Sequence, residues 1–261
     1  MTTGQRIRCV LFDLGSTLWI NQEEAVAQAN ERAYELAGTL LRRANGDGDG
    51  SVSQVQALGK VLRKSISQQA RQQRLPQPDY EPDFALATLE ALRQLGFTHA
   101  DRELGASLFE ALRVRIPDSK VLFADTLTTL TELKRRGYLL GVVTNRAYGG
   151  ALFREDLQTM GLLDHFEYRH MAISIDLGIR KPHPEIFKYA LNGLEVAPEE
   201  TAMVGDNFVA DIVGAKRLNM FAFWKPKPSL SPEIQEQYRA GYDGITPDAT
   251  ITHLAELLEI L

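Results

Sequence analysis

Three short apolar runs in this chain each end in a polar residue, and this arrangement limits the fold more than any other feature of the sequence. VLF at 10–12 runs into Asp13, LLGVV at 139–143 into Thr144, and TAMVG at 201–205 into Asp206, with Asp211 five positions later. Short apolar runs flanked by helical patterns read as buried parallel strands, which lack the alternation of half-exposed ones. In an open α/β sheet the carboxyl ends of such strands form the ligand crevice. A hydroxyl and three carboxylates gathered there make one polar site, which Lys181 joins from a loop. That set suits metal-assisted chemistry on a phosphorylated substrate.

Between 21 and 118 no strand pattern occurs. Four helical patterns follow one another instead, at 23–44, 52–74, 84–96 and 102–114. Pro76, Pro78 and Pro82 break the second from the third, and Gly96 separates the third from the fourth. Strand and helix alternate again from about Asp125. The reading is an α/β fold, a Rossmann-like parallel sheet flanked by helices, with an inserted all-helical cap domain. Its domains are 1–20 with 119–261 for the core and 21–118 for the cap, which is expected over the C-terminal edge of the sheet.

A net charge of −5 gives no reason to expect nucleic acid or an anionic membrane as a partner. The one cysteine, Cys9, falls in the first strand; it reads as a buried apolar residue and rules out an intrachain disulfide framework. No run reaches transmembrane length and the N-terminal apolar stretch is too short for a signal peptide, so a cytoplasmic location is expected.

Four segments in order carry a family resemblance: FDLGSTL at 12–18, VVTN at 142–145, RKPHPEIF at 180–187 and VGDNFVADIVGAKRLNM at 204–220. With the helical insertion after the first, the chain resembles the haloacid dehalogenase superfamily, in its members with a helical cap. The resemblance implies Mg²⁺-dependent hydrolysis of a small phosphorylated metabolite, with Asp13 as the nucleophile of an aspartyl-phosphate route. It implies catalytic roles for Asp13, Thr144 and Lys181, and phosphate binding by Ser16, Thr17, Thr144, Asn145 and Lys181. Metal binding falls to Asp13, the backbone carbonyl of Gly15, Asp206 and Asp211. Each residue alone has an ordinary reading as well: Asp13 and Thr144 as helix caps, Lys181 as a solvated charge, Asp206 with Asn207 as a turn. Those readings do not explain the four segments together.

One position departs from the family pattern. Phosphatases of this family carry a second aspartate two residues after the nucleophile, which protonates the leaving group; here that position is Gly15. General acid–base catalysis contributes roughly 10²–10⁴-fold. Three readings follow: a phosphatase that favours good leaving groups or borrows an acid, a weakly active or inactive protein that binds a phosphorylated ligand, and a dehalogenase-type hydrolase. The Asp206 and Asp211 pair argues against the last.

Trp19, Asn21, Gln22, Phe123 and Asp125 stand near the junctions of the insertion and are candidates for substrate contact, with packing as the alternative for Trp19 and Phe123. The segment NGDGDGSVSQVQ at 45–56 resembles a calcium-binding EF-hand loop, with oxygen donors at Asn45, Asp47, Asp49 and Ser53. Asn at its first position and Gln56 at its twelfth depart from that pattern, and a Gly/Asp turn is the competing reading. Arg42, Arg43, Lys60, Arg63, Lys64, Arg71 and Arg74 make the early insertion basic, as a solvated helical face would be.

Overall fold

The computed structural model describes residues 7–47, 50–240 and 242–261. The chain forms β1 (Cys9–Phe12) and β2 (Trp19–Asn21), then α1 (Glu23–Ala44), α2 (Val52–Arg74), α3 (Phe84–Gln94) and α4 (Arg102–Ala111), and returns through β3 (Lys120–Leu122). Strand and helix then alternate. In order come α5 (Thr126–Arg135), β4 (Leu139–Thr144), α6 (Gly150–Thr159), β5 (Ala172–Ile173), α7 (Ser174–Leu177), α8 (Pro184–Leu194) and β6 (Thr201–Gly205). The remaining elements are α9 (Gly214–Lys216), β7 (Phe221–Trp224), α10 (Pro232–Arg239), β8 (Ala249–Thr250) and α11 (Leu257–Ile260). Two compact units result: the described residues up to Ile20 with Val121–Leu261, and Asn21–Lys120.

The first unit is built on a six-stranded sheet in the order β5-β4-β1-β6-β7-β8, with every pairing parallel. Cys9 stands opposite Leu139 of β4 on one side and Thr201 of β6 on the other. β1 and β6 are buried along their whole length, as continuous apolar runs between two helical layers must be. The chain winds outward from β1 to β4 and β5, then crosses back to β6, β7 and β8. The order therefore reverses around β1, and a crevice opens there at the carboxyl ends of the strands. The Asp13 N–H donates to the Val204 carbonyl at 2.9 Å, extending the ladder one residue past β1. Asp13 and Asp206 each sit immediately after their strand, and Thr144 is the last residue of β4.

The second unit is helical, as its sequence periodicity requires. α1 buries Ala33, Ala37 and Leu41; α2 buries Val55, Leu62, Ile66 and Ala70, spaced by one or two helical turns. Gly38 and Gly59 let these two helices touch backbone to backbone. A Cβ on Gly38 would lie 1.9 Å from the Val55 carbonyl oxygen, and one on Gly59 2.1 Å from that of Tyr34. The termini are set by side chains: Ser51 and Gln54 form a capping box on α2, while Asp83 and Asp101 accept the Leu86 and Leu104 N–H groups of α3 and α4. Between α1 and α2, Asn45 donates to Asp47 Oδ2 at 2.8 Å, and Ser53 already belongs to α2. Asp49, the remaining residue of the calcium-loop reading, lies outside the described residues. No described helix is long and apolar enough to cross a membrane.

The segment after Asp206 differs from an ordinary helix. Phe208–Val213 is π-helical and passes into α9. The Asn207 side chain caps it by accepting the Ala210 N–H at 3.0 Å. The wider turn brings Asp211 back over the end of β6, where a Cβ on Gly205 would meet Asp211 Oδ2 at 2.2 Å. Only glycine leaves room for that carboxylate.

Candidate active site

Lys181 lies at the centre of the polar cluster in the α/β unit. Its side chain is 2% exposed, and its ammonium donates to Asp13 Oδ1 at 2.7 Å and to the Val143 carbonyl at 2.6 Å. Asp211 Oδ1 stands 2.6 Å away as a second ion-pair partner, though not in line for a hydrogen bond. Burial alone would lower the Lys181 pKa; Asp13 and Asp211 outweigh it, so the pKa rises and the ammonium stays charged. Asn145 fixes the lysine from behind: its Oδ1 accepts the Lys181 N–H at 2.8 Å and its Nδ2 donates to the Lys181 carbonyl at 3.0 Å. The amide side chain of Asn145 is thereby committed to positioning Lys181. With Oδ1 of Asp13 held by the lysine, Oδ2 takes no hydrogen bond from the described residues.

Carboxylate oxygens of Asp13, Asp206 and Asp211 all fall within 4.8 Å of one another. Asp206 Oδ2 is buried without an aligned donor; Lys227 Nζ approaches it at 3.2 Å from a half-exposed side chain. Burial first, then Asp13 and Asp211, pushes the Asp206 carboxyl up to about 7. Asp211 is raised to about 6, again chiefly by burial, with Lys181 opposing. Crowded, desolvated carboxylates with underused oxygens are what a hard divalent cation neutralises. The donor set therefore fits such an ion.

A cleft of about 230 Å³ joins these groups, its wall including Asp13, Gly15, Thr144, Lys181, Asp206 and Asp211. Ser16 and Asn145 also line it, whereas Thr17 is wholly buried and does not. Ser16 adopts φ 59°, a left-handed conformation that costs a non-glycine residue about 1–3 kcal/mol and recurs at functional turns. Of the junction residues, Asn21 accepts from Lys120 Nζ at 2.7 Å and Asp125 accepts the Ala255 N–H at 3.0 Å, so both have structural partners. The Gln22 N–H donates to the Ser119 carbonyl at 3.0 Å.

Sequence reading passed over three cations near this cluster. Arg146 and Lys227 line the cleft. Lys225 is 2% exposed; it sits 3.6 Å from the centre of the Phe123 ring and donates to the Ser16 carbonyl at 3.4 Å. Burial holds its pKa below the usual lysine range, against the pull of Asp125 and Asp206. The signal was present: FAFW at 221–224 is a fourth apolar run ending in a polar residue, Lys225.

Residues 7–219 match the haloacid dehalogenase-like hydrolase family, and the chain belongs to it. A glyceraldehyde 3-phosphate phosphatase of Pyrococcus furiosus is 40% identical over 134 residues, 51% of this chain and 51% of that protein. The chain thus spans about half the length of the first curated relatives it matches. A second glyceraldehyde 3-phosphate phosphatase, from Methanopyrus kandleri, is 30% identical over 98% of this chain and 97% of its own length. Among solved structures, a 2-haloacid dehalogenase of Pseudomonas syringae aligns over 97% of both chains with 26% identity and a TM-score of 0.62. Relatives of this chain thus carry the names of two chemistries, and the site must discriminate between them.

Proposed function

We propose that this protein is a phosphatase that hydrolyses monoesters of a small phosphorylated metabolite through an aspartyl-phosphate on Asp13. The observation that carries the reading is the Lys181 ammonium, 2.7 Å from Asp13 Oδ1 and 2.6 Å from Asp211 Oδ1, with Asp13 Oδ2 left open toward the cleft chemistry. In the first step Asp13 Oδ2 attacks phosphorus and the P–O bond to the leaving alcohol breaks. Water then cleaves the acyl phosphate, releasing inorganic phosphate and restoring the carboxylate. Lys181 holds the nucleophile in one orientation and reduces its repulsion from the incoming dianion. The Thr144 hydroxyl, at the end of β4, donates to a phosphoryl oxygen. Asp13, Asp206, Asp211 and the Gly15 carbonyl would hold Mg²⁺, which supplies neutralisation of phosphoryl charge when bound.

Gly15 brings no proton to the leaving group, so esters of acidic alcohols and acyl phosphates are the better substrates. The same glycine favours the second reading, a family member that binds a phosphorylated ligand with little turnover. The acidic cluster speaks against a dehalogenase, whose displacement of halide needs no cation. Phosphate release from p-nitrophenyl phosphate, acetyl phosphate and a sugar phosphate panel, with and without Mg²⁺, tests the choice. Metal-dependent turnover that Asp13→Asn lowers on the order of a thousandfold or more supports the phosphatase. Turnover that survives the substitution, or none on any ester by a folded protein, overturns it.

A further inference from the structure

The described surface of the cleft holds four cations near the carboxylates, and three are answered. Lys181 pairs with Asp13 and Asp211, Lys227 with Asp206, and Arg180 has interactions of its own. Arg146 has no carboxylate within ion-pair distance among the described residues, yet both its backbone and its side chain are anchored. Its N–H donates to Ser174 Oγ at 2.8 Å, and the Ser174 hydroxyl donates back to its carbonyl at 3.3 Å; Ser174 is wholly buried. The guanidinium carbon stands 5.0 Å from the Tyr148 ring centre, 5.3 Å from Phe153 and 5.8 Å from Trp19. The Tyr148 hydroxyl in turn donates to Asp156 Oδ2 at 2.9 Å. The guanidinium also shares a side-chain hydrogen bond with the Tyr148 hydroxyl; aromatic faces attract it without satisfying its other N–H groups, and the buried Nε has no acceptor.

A second orphan donor lies beside it. Trp19 is 1% exposed and its Nε1 is buried without an acceptor. That nitrogen is the nearest atom, at 4.0 Å, to where a Cβ on Gly15 would stand. The space left by the absent acidic side chain is therefore faced by an N–H that seeks an acceptor, with a guanidinium that has no carboxylate partner and an orphaned Nε next to the same indole. Orphaned donors on a residue that lines the cleft and on the indole facing Gly15 suit a ligand that brings acceptors to them.

Resting on the phosphatase reading, we propose that Arg146, with Trp19, selects substrates that carry a second anionic group, a carboxylate or a second phosphate, a few bonds from the phosphoryl group cleaved at Asp13. The anion occupies the volume beside Gly15, where the guanidinium fork and the indole N–H receive it. Esters of the same size with a neutral end leave both donors unpaired and are the poorer substrates.

Matched esters test this. Carboxymethyl phosphate and ethane-1,2-diyl bisphosphate are compared with ethyl phosphate, all with Mg²⁺, in the wild type and in Arg146→Met. In the wild type kcat/KM for at least one ester with the second anionic group exceeds that for ethyl phosphate by tenfold or more, and which of the two leads distinguishes carboxylate from phosphate. Arg146→Met brings the ratio close to one, mainly through KM; Trp19→Phe removes a smaller share. A wild-type ratio near one, or a ratio that Arg146→Met leaves intact, overturns the proposal. Arg146→Gln answers the same question if the Met variant fails to fold. Should these esters, p-nitrophenyl phosphate and acetyl phosphate all resist turnover, the phosphatase reading is lost and calorimetry decides the anion site. Carboxymethyl phosphate binding that Arg146→Met weakens tenfold supports the site; equal binding, or none, overturns it.

Discussion

Gln69 and Thr88 are buried in the helical insertion, and each has its partner: Gln69 Nε2 donates to Gln94 Oε1 at 2.8 Å, and Thr88 Oγ1 to the Phe84 carbonyl at 2.7 Å. At the strand ends of the α/β unit, Asp206 and Asp211 are buried too, but Oδ2 of one and Oδ1 of the other lack an aligned donor, and Asp13 crowds both. A buried polar group with its hydrogen bond is close to neutral for stability, whereas crowded and desolvated carboxylates are costly. Burial in the insertion is explained by folding alone. Burial at the strand ends is not explained in that way.

Three measurements press on this contrast. The largest effect is expected from Gly205→Ala, whose Cβ would meet Asp211 Oδ2 at 2.2 Å and force the carboxylate off Lys181. A misplacement of this kind costs about 100-fold in turnover, read as kcat on p-nitrophenyl phosphate with the fold checked by circular dichroism. Unaltered turnover would mean that Asp211 does not need its observed position.

The second concerns pH. Asp206 is raised to about 7 and Asp211 to about 6, well above an unfolded carboxyl near 4. Between those values the folded chain binds more protons than the unfolded one, so this contribution to stability falls as pH rises from about 4 through 7. Denaturant melts at pH 5 and pH 7.5 should show it, and saturating Mg²⁺ should flatten it by favouring the charged carboxylates. Asp206→Asn lacks the group and should lose the corresponding part of the slope. The same slope in that variant would remove Asp206 as its source.

The smallest effect is expected in the insertion. Gln69→Leu gives up one hydrogen bond, but Gln94 is exposed and turns to water, so stability should change by no more than about 1 kcal/mol. A loss of several kcal/mol would show that buried polar groups are as consequential there as at the strand ends.

Much of this fold is legible without coordinates. The patterns at 23–44 and 52–74 coincide with α1 and α2, because an amphipathic period sustained over that length declares its own extent. TAMVG is β6 to the residue. Two-residue strands such as β5 and β8 carry no periodicity to detect, and the π-helical turn at 208–213 depends on Asp211 packing over Gly205, a contact no local pattern encodes. Asp13, Thr144, Lys181, Asp206 and Asp211 were expected together, and the structure brings them to one cleft. Arg146 escaped notice although it adjoins Thr144 and Asn145, since its partners come from Trp19, Tyr148, Phe153 and Ser174, spread over 155 positions of chain.

The position of β1 in the middle of the sheet has a consequence for how the chain is made. Both its neighbours lie far downstream, about 130 residues away in β4 and about 190 in β6. At a synthesis rate of about 5–20 residues per second, β1 emerges roughly 10–40 s before its second partner exists. Until β4 is made the apolar strand has two unpaired edges, and one of them stays open to other nascent chains until β6 follows. The helices of the insertion, which contact mainly their sequence neighbours, are complete long before. Local structure thus forms first in a chain whose Asp13 rests on the strand that must wait longest.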